Sequence, residues 1–350
     1  MKKMILLAIA ATVLCTAAWF LNDSKKMKTP SLVGKRVLPA FDLSDVQKIE
    51  CGGDKKLALA STDAGWVVSS LYGYPADITK IRENMLKLQE LKVGDVARGK
   101  QLAAGKLVDL QDASGKSLVS LTLGEKHEKR SSGDSPYGGG AYPDGRYVQA
   151  GGAKEVVLVK ETLDAFDGDP KQWTDSQIAS VSSADLTAIQ ITTGKQTVKL
   201  AKKDGSWTLG GLATNEEFNT SNVYGTESAL SYLNFASVAD PKLAEPELGF
   251  ETGTVYTVQT KNGQTYTAHV GAKVKDGTDR YVKLSASFSP VGTNKVENAN
   301  YEQQVKDFNA KNAKWVYTVA AHSAENMTKG RADFVKAKEE PKKAETEEKK

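Results

Sequence analysis

The chain has 350 residues, 40% of them hydrophobic and 26% charged, with a formal net charge of +4. That composition belongs to a globular protein with room for two cores, and it excludes a chain disordered throughout or one that crosses a membrane many times. Lys residues interleave with Asp and Glu, without a basic stripe and without aromatic residues set among basic ones, so nucleic acid is not an expected partner.

The first element is Met4–Leu21, an uncharged apolar run of eighteen residues, just long enough to cross a bilayer as a helix. Lys2 and Lys3 precede it and Lys25, Lys26 and Lys28 follow it, so flanking charge alone does not set its orientation. Thr16-Ala17-Ala18 offers a cleavage site, but the run continues through Trp19, Phe20 and Leu21, an aromatic edge that fits an uncleaved anchor. Residues 1–22 are therefore expected to be a membrane anchor or signal segment. The chain would be single-pass in the cell inner membrane, with its large domain in the periplasm or outside the cell. Residues 23–41, which include Pro30, Gly34 and Pro39, read as a linker.

An internal repeat organises the rest of the chain. Asp45–Ile49 returns as Asp185–Ile189, Gly65-Trp66-Val67-Val68 as Ser206-Trp207-Thr208-Leu209, and Arg146-Tyr147-Val148 as Arg280-Tyr281-Val282. Leu123-Gly124-Glu125-Lys126 matches Val270-Gly271-Ala272-Lys273. Of five tryptophans, the four outside the apolar run fall into the pairs Trp66/Trp207 and Trp173/Trp315. Chance does not readily pair so rare a residue. The expected units are 42–177 and 178–328.

Within a unit, Val46–Ile49, Leu57–Ala60 and Trp66–Val68 are short β-prone pieces separated by Gly, Asp and Ser, the pattern of an antiparallel meander. After the Pro75 turn and the capping candidate Asp77, Ile78, Ile81, Met85, Leu88 and Leu91 recur at helical spacing. Ser228–Leu233 is the expected counterpart helix in the second copy. Ser114-Gly115 and Asn262-Gly263 mark hairpins. The expected fold class is α+β, two tandem copies of a mainly antiparallel sheet-plus-helix unit behind an N-terminal transmembrane helix. Residues 329–350, almost purely charged toward the end, are expected to be a disordered tail.

Chemical signatures are missing from the chain. Gly94 to Lys100 has the spacing of a phosphate-binding loop but ends in Gln101, and His127, His269 and His322 have no metal-ligand partner at helical spacing. Cys51 stands alone in the soluble part, outside any motif, and reads as a buried or idle thiol. Asp164, Asp167 and Asp169 resemble a calcium loop without its ordered oxygen ligands or terminal Glu. No catalytic residue, cofactor or metal is therefore assigned. The most unusual stretch is Ser131–Gly145, inserted in the first copy only, where Tyr137, Tyr142 and Asp144 among glycines are the candidate partner-binding residues.

The order Gly65-Trp66, then Tyr74-Pro75-Ala76-Asp77 and the Leu-rich helix to Leu91, set twice behind an N-terminal apolar run, resembles the bacterial domain-of-unknown-function family 4340. The likeness covers about residues 42–325. Members carry a Gly-Leu-x-x-Pro segment after the helix, where this chain has Val93-Gly94-Asp95 and Leu248-Gly249-Phe250. What the resemblance implies is a protein encoded beside ABC-type exporter subunits or gliding-motility transporter components, and no catalytic residues. The expected function is a non-catalytic extracytoplasmic accessory or docking subunit of a transport or envelope-assembly complex, with an integral membrane complex such as an ABC transporter permease as partner. The alternative is an envelope glycan- or small-molecule-binding protein or hydrolase with a site between the two units.

Overall fold

The computed structural model describes residues 31–52, 56–102, 105–130 and 140–338. The apolar run Met4–Leu21 lies outside these residues, and none of the helices within them is long and apolar enough to cross a membrane. The strands are β1 (Lys48–Cys51), β2 (Leu57–Thr62), β3 (Gly65–Val68), β4 (Tyr74–Pro75), β5 (Asp95–Val96), β6 (Lys106–Gln111), β7 (Ser117–Arg130), β8 (Ala141–Ala150), β9 (Val157–Val159) and β10 (Gln177–Ala179). They continue with β11 (Leu186–Thr193), β12 (Gln196–Lys203), β13 (Ser206–Leu209), β14 (Glu216–Phe218), β15 (Leu233–Asn234), β16 (Ser237–Val238), β17 (Thr254–Thr260), β18 (Gln264–Lys273), β19 (Arg280–Phe288), β20 (Tyr317–Val319) and β21 (Val335–Ala337). The α-helices are α1 (Ile78–Gln89), α2 (Val223–Glu227), α3 (Glu245–Leu248), α4 (Lys295–Asn312) and α5 (Ala321–Met327).

This is a mostly antiparallel α+β fold. One sheet has the order β4-β3-β2-β1-β6-β7-β8-β9-β5 and another the order β13-β12-β11-β17-β18-β19-β20-β16. The turns form where the sequence places them. Gly115 and Gly263 both sit at φ +83, and Asp112 Oδ1 accepts from the backbone of Ser114 and Lys116 to close the first turn. A Cβ on Gly263 would meet the Ser289 carbonyl oxygen, so that turn admits only glycine.

By contacts the chain divides into two compact units, Met1–Lys56 with Arg82–Gly168 and Leu57–Ile81 with Asp169–Lys350. This division differs from a simple cut at 177/178, because residues 57–81 of the first sequence copy cluster with the later part of the chain. The reason is aromatic. Tyr74 is buried and places its ring 5.1 Å from Phe235, 5.0 Å from Trp315 and 6.2 Å from Tyr317, all at edge-on angles.

In the first unit the alternation of β6 and β7 buries Val108, Leu110, Val119, Leu121 and Leu123, and β8 and β9 add Val148 and Val159. Helix α1 starts where Asp77 Oδ1 accepts from Thr79 N at 2.8 Å, and within this unit it buries Met85 and Leu88 while Leu86 faces out. Each such buried side chain contributes about 1.5–3 kcal/mol relative to exposure. The linker expectation fails in its second half. Gly34 N and Val37 N donate to Val93 O and Leu91 O, and Leu38 is buried, because backbone pairing satisfies polar groups that a free linker would leave to water.

In the second unit Trp173, Tyr256, Tyr317 and Phe334 are fully buried. Their polar ends are matched: Tyr256 Oη donates to Thr226 O at 2.5 Å and Tyr317 Oη to Asn312 Oδ1 at 3.0 Å, while Asn312 Nδ2 donates to Ile178 O at 3.2 Å. Helix α4 is capped by Asn294 and packs along β19, where Asn309 exchanges hydrogen bonds with the Ala286 backbone. Two expectations are corrected. The counterpart helix is α2, a single turn at Val223–Glu227, and Ser228–Tyr232 is a turn leading into β15. The expected tail is ordered through 338, because Phe334 is buried and β21 pairs with β14. Residues 339–350 lie outside the described residues.

Candidate functional site

Strand β7 changes character at Gly124. Up to Leu123 it alternates buried and half-buried residues; from Glu125 to Arg130 it reads Glu-Lys-His-Glu-Lys-Arg and buries nothing. The pairing nevertheless continues, with Lys126 opposite Arg146, His127 opposite Gly145, Glu128 opposite Pro143, Lys129 opposite Tyr142 and Arg130 opposite Ala141. The result is a two-stranded arm that extends beyond the buried part of the sheet, with register shifts at Leu123/Lys126 and at His127/Glu128. The matching strands β18 and β19 end at Lys273 opposite Arg280 and carry no such extension.

The base of the arm is locked by Arg146, which is 4% exposed. Its Nε donates to Gly124 O at 2.9 Å, one terminal nitrogen to Thr162 O at 3.1 Å and the other to Asp167 Oδ1 at 2.7 Å. Lys106 Nζ adds contacts to Asp167 O at 2.9 Å and Oδ1 at 3.3 Å, and Lys126 Nζ lies 2.5 Å from Asp164 and 3.5 Å from Asp167 Oδ2. Burial disfavours the Asp167 carboxylate, but the hydrogen bond and charge of Arg146, with Lys106, outweigh it and hold the group below the usual carboxylate range. Gly145 is required here, since a Cβ would lie 2.2 Å from Val159 O.

Above this base, His127 Nδ1 and Asp144 Oδ1 are 2.5 Å apart, and the Tyr147 ring lies edge-on to the imidazole at 5.9 Å. Lys100 Nζ lies over the Tyr147 ring, 3.7 Å from its centroid, and pairs with Glu125 at 2.5 Å. His127 and Asp144 line a cleft of about 340 Å³ with Asp95, Leu158 and Lys160. The arrangement brings charged, hydrogen-bonding and aromatic groups together beside one cleft. Among the described residues no three His, Cys, Asp or Glu side chains converge to hold a metal.

Of the residues expected to act, Tyr142 and Asp144 lie on strand β8 within the arm, Tyr142 being 48% exposed, while Tyr137 lies outside the described residues. The expectation of one loop from Ser131 to Gly145 is corrected, because Ala141–Gly145 is strand. The tryptophans are not brought together. Trp173 is fully buried, and Trp66, Trp207 and Trp315 are half-buried. Reading for motifs missed His127 and Arg146 as members of the site. The signal was present in the loss of apolar alternation after Leu123.

The acids of the calcium-like segment make ion pairs and a helix cap. Asp167 and Asp164 meet Arg146, Lys106 and Lys126, and Asp169 caps the short helix Pro170–Trp173 by accepting from Lys171 N. Cys51 is buried, and burial first, then the Asp167 charge, pushes its thiol up to about 12.

Residues 66–253 match the family profile described as a domain of unknown function, DUF4340, over more than half of the chain. The chain belongs to the DUF4340 family. The match runs from Trp66 in β3 through α1 and the arm to Gly253, just ahead of β17, a narrower span than the 42–325 expected from the residues. No curated protein and no solved structure matches this DUF4340 chain.

Proposed function

We propose that this DUF4340 protein is a non-catalytic accessory subunit, held at the cell inner membrane through Met4–Leu21, that docks on an integral membrane transport or envelope-assembly complex. An ABC-type permease is the partner class that the family resemblance favours. The observation that carries the reading is the β7–β8 arm. It extends past the buried sheet, is fixed at its base by a buried Arg146, and displays exposed polar and aromatic groups that the core does not need. A rigid scaffold presenting an element of this kind is the usual construction of a binding surface.

The same reading takes the chain as two copies of one unit. Apart from the added β4 the two large sheets share one strand order. In each copy an Arg of the Arg-Tyr-Val strand donates to the matched glycine carbonyl, Arg146 to Gly124 O and Arg280 to Gly271 O. Duplication followed by elaboration of one hairpin accounts for an arm in the first copy alone.

The test is cross-linking in intact cells, detergent extraction and purification through a C-terminal tag, with mass spectrometry of what is retained. Recovery of one integral membrane complex in constant ratio supports the accessory role. Recovery of the protein alone contradicts it.

A further inference from the structure

The first unit carries a second exposed feature, a groove of about 720 Å³ along helix α1. Its backbone is fixed: Gly34 N donates to Val93 O, Val93 N to Lys35 O and Gly94 N to Leu158 O. Leu86 and Val33 reach it as exposed apolar side chains, 39% and 51% accessible. Lys87, Lys92 and Lys160 line it, Lys35 and Arg36 stand beside it, and all five are exposed. Glu83, Glu90 and Glu161 oppose them, and among the described residues none of these eight groups is tied up in an ion pair.

The neighbouring sequence indicates what covers this face. The groove is built in part from Val33 and Gly34, near the start of the described residues, and only residues 22–32 separate Val33 from the apolar run. These eleven residues span at most ~40 Å fully extended. They contain Lys25, Lys26 and Lys28 against a single Asp23, so the connecting segment is itself net positive. Cationic side chains close to an anionic leaflet are drawn to it, and apolar side chains among them insert at the headgroup boundary.

We propose that the face bearing Lys35, Arg36, Lys87, Lys92 and Lys160, together with Leu86 and Val33, lies against an anionic phospholipid surface. This rests on the reading of Met4–Leu21 as a membrane anchor. The contact orients the first unit on the bilayer, so that the anchor is a tether and the groove face is the footing.

The experiment uses the full chain in lipid nanodiscs, once in phosphatidylcholine and once with roughly a third phosphatidylglycerol. An amine-acetylating reagent labels lysines, and mass spectrometry reads each rate; neither lipid competes for the reagent. Lys35, Lys87, Lys92 and Lys160 are expected to label about three-fold more slowly in the anionic discs, while Lys199 and Lys203 do not change, and about 0.5 M salt abolishes the difference. The charge-reversed Lys35→Glu/Lys92→Glu variant is expected to lose the protection of Lys87 and Lys160. Equal rates in both discs overturn the proposal with the anchor intact, as does protection found only in native membrane vesicles, which assigns the face to a protein. Release of the chain by carbonate washing overturns the anchor itself, and the footing with it.

Discussion

Arg146 donates to Asp167 Oδ1 across 2.7 Å, and its side chain is only 5% exposed against 26% for the carboxylate. The bond joins strand β8 to the short helix Asp164–Asp167, and Arg146 also holds Gly124 O and Thr162 O. One buried guanidinium thus fixes the direction in which the arm leaves the sheet. Replacing Arg146 by Ala is expected to cost about 2–4 kcal/mol, somewhat less than breaking a fully buried pair, because Asp167 keeps some water. Arg146→Lys should recover little, since the three N–H donors of an ammonium leave one nitrogen and cannot reach three acceptors that Nε and the two terminal guanidinium nitrogens meet from separate positions. Arg280→Ala, where one bond to Gly271 O is lost, should cost about 1 kcal/mol. Urea denaturation of the three variants checks the ranking.

The same network predicts acid sensitivity. The folded-state pKa of Asp167 is depressed below the ordinary value of 3.8, so its contribution is fully present above that value and is lost as pH falls through the folded pKa. Asp164, lowered first by its hydrogen bond from Lys126, follows the same direction. Stability measured against pH should therefore fall below about pH 4, and Asp167→Asn should show a shallower fall from a lower starting stability.

Cys51 should be inert. Its thiol is buried and pushed up to about 12, so almost none is thiolate at neutral pH. An aromatic disulfide reagent is expected to leave Cys51 unmodified in the folded chain and to react with it in denaturant. Rapid modification of Cys51 in the native protein would contradict the burial.

Aromatic truncations separate core from periphery. Trp173→Ala should cost about 3–5 kcal/mol, as full burial requires. Trp66→Ala should cost less, about 1–2 kcal/mol, because Trp66 is only half-buried. Trp207 is intermediate, since its Nε1 donates to Glu227 Oε2 at 2.5 Å and Lys202 lies 5.4 Å from its ring. Thermal melts of the three variants give the order directly.

Much of the fold was legible from residues that obey local rules. The spacing of Ile81, Met85, Leu88 and Leu91 declares α1, and Gly115 and Gly263 declare their turns, because a helix stripe and a positive φ are properties of a few neighbours. The illegible parts depended on distant partners. Ser228–Leu233 has helical composition, yet the chain turns there and Leu233 begins β15, paired with Ala179 of β10. Phe334 sits among charged residues and is buried only because β21 finds β14, more than a hundred positions away. The arm lay between these cases. Tyr142 and Asp144 stood out in the sequence, but Glu125–Arg130 carries no apolar alternation and is a strand only through its pairing with β8.

Site-specific photocross-linking in living cells tests the docking reading most directly. A photoreactive residue at position 142, on the exposed arm, is compared with one at position 197, on the exposed face of β12. An adduct with a single integral membrane protein is expected from position 142 and none from position 197, with unchanged stability of both variants. No adduct at 142, or the same adducts from both positions, would contradict the docking reading.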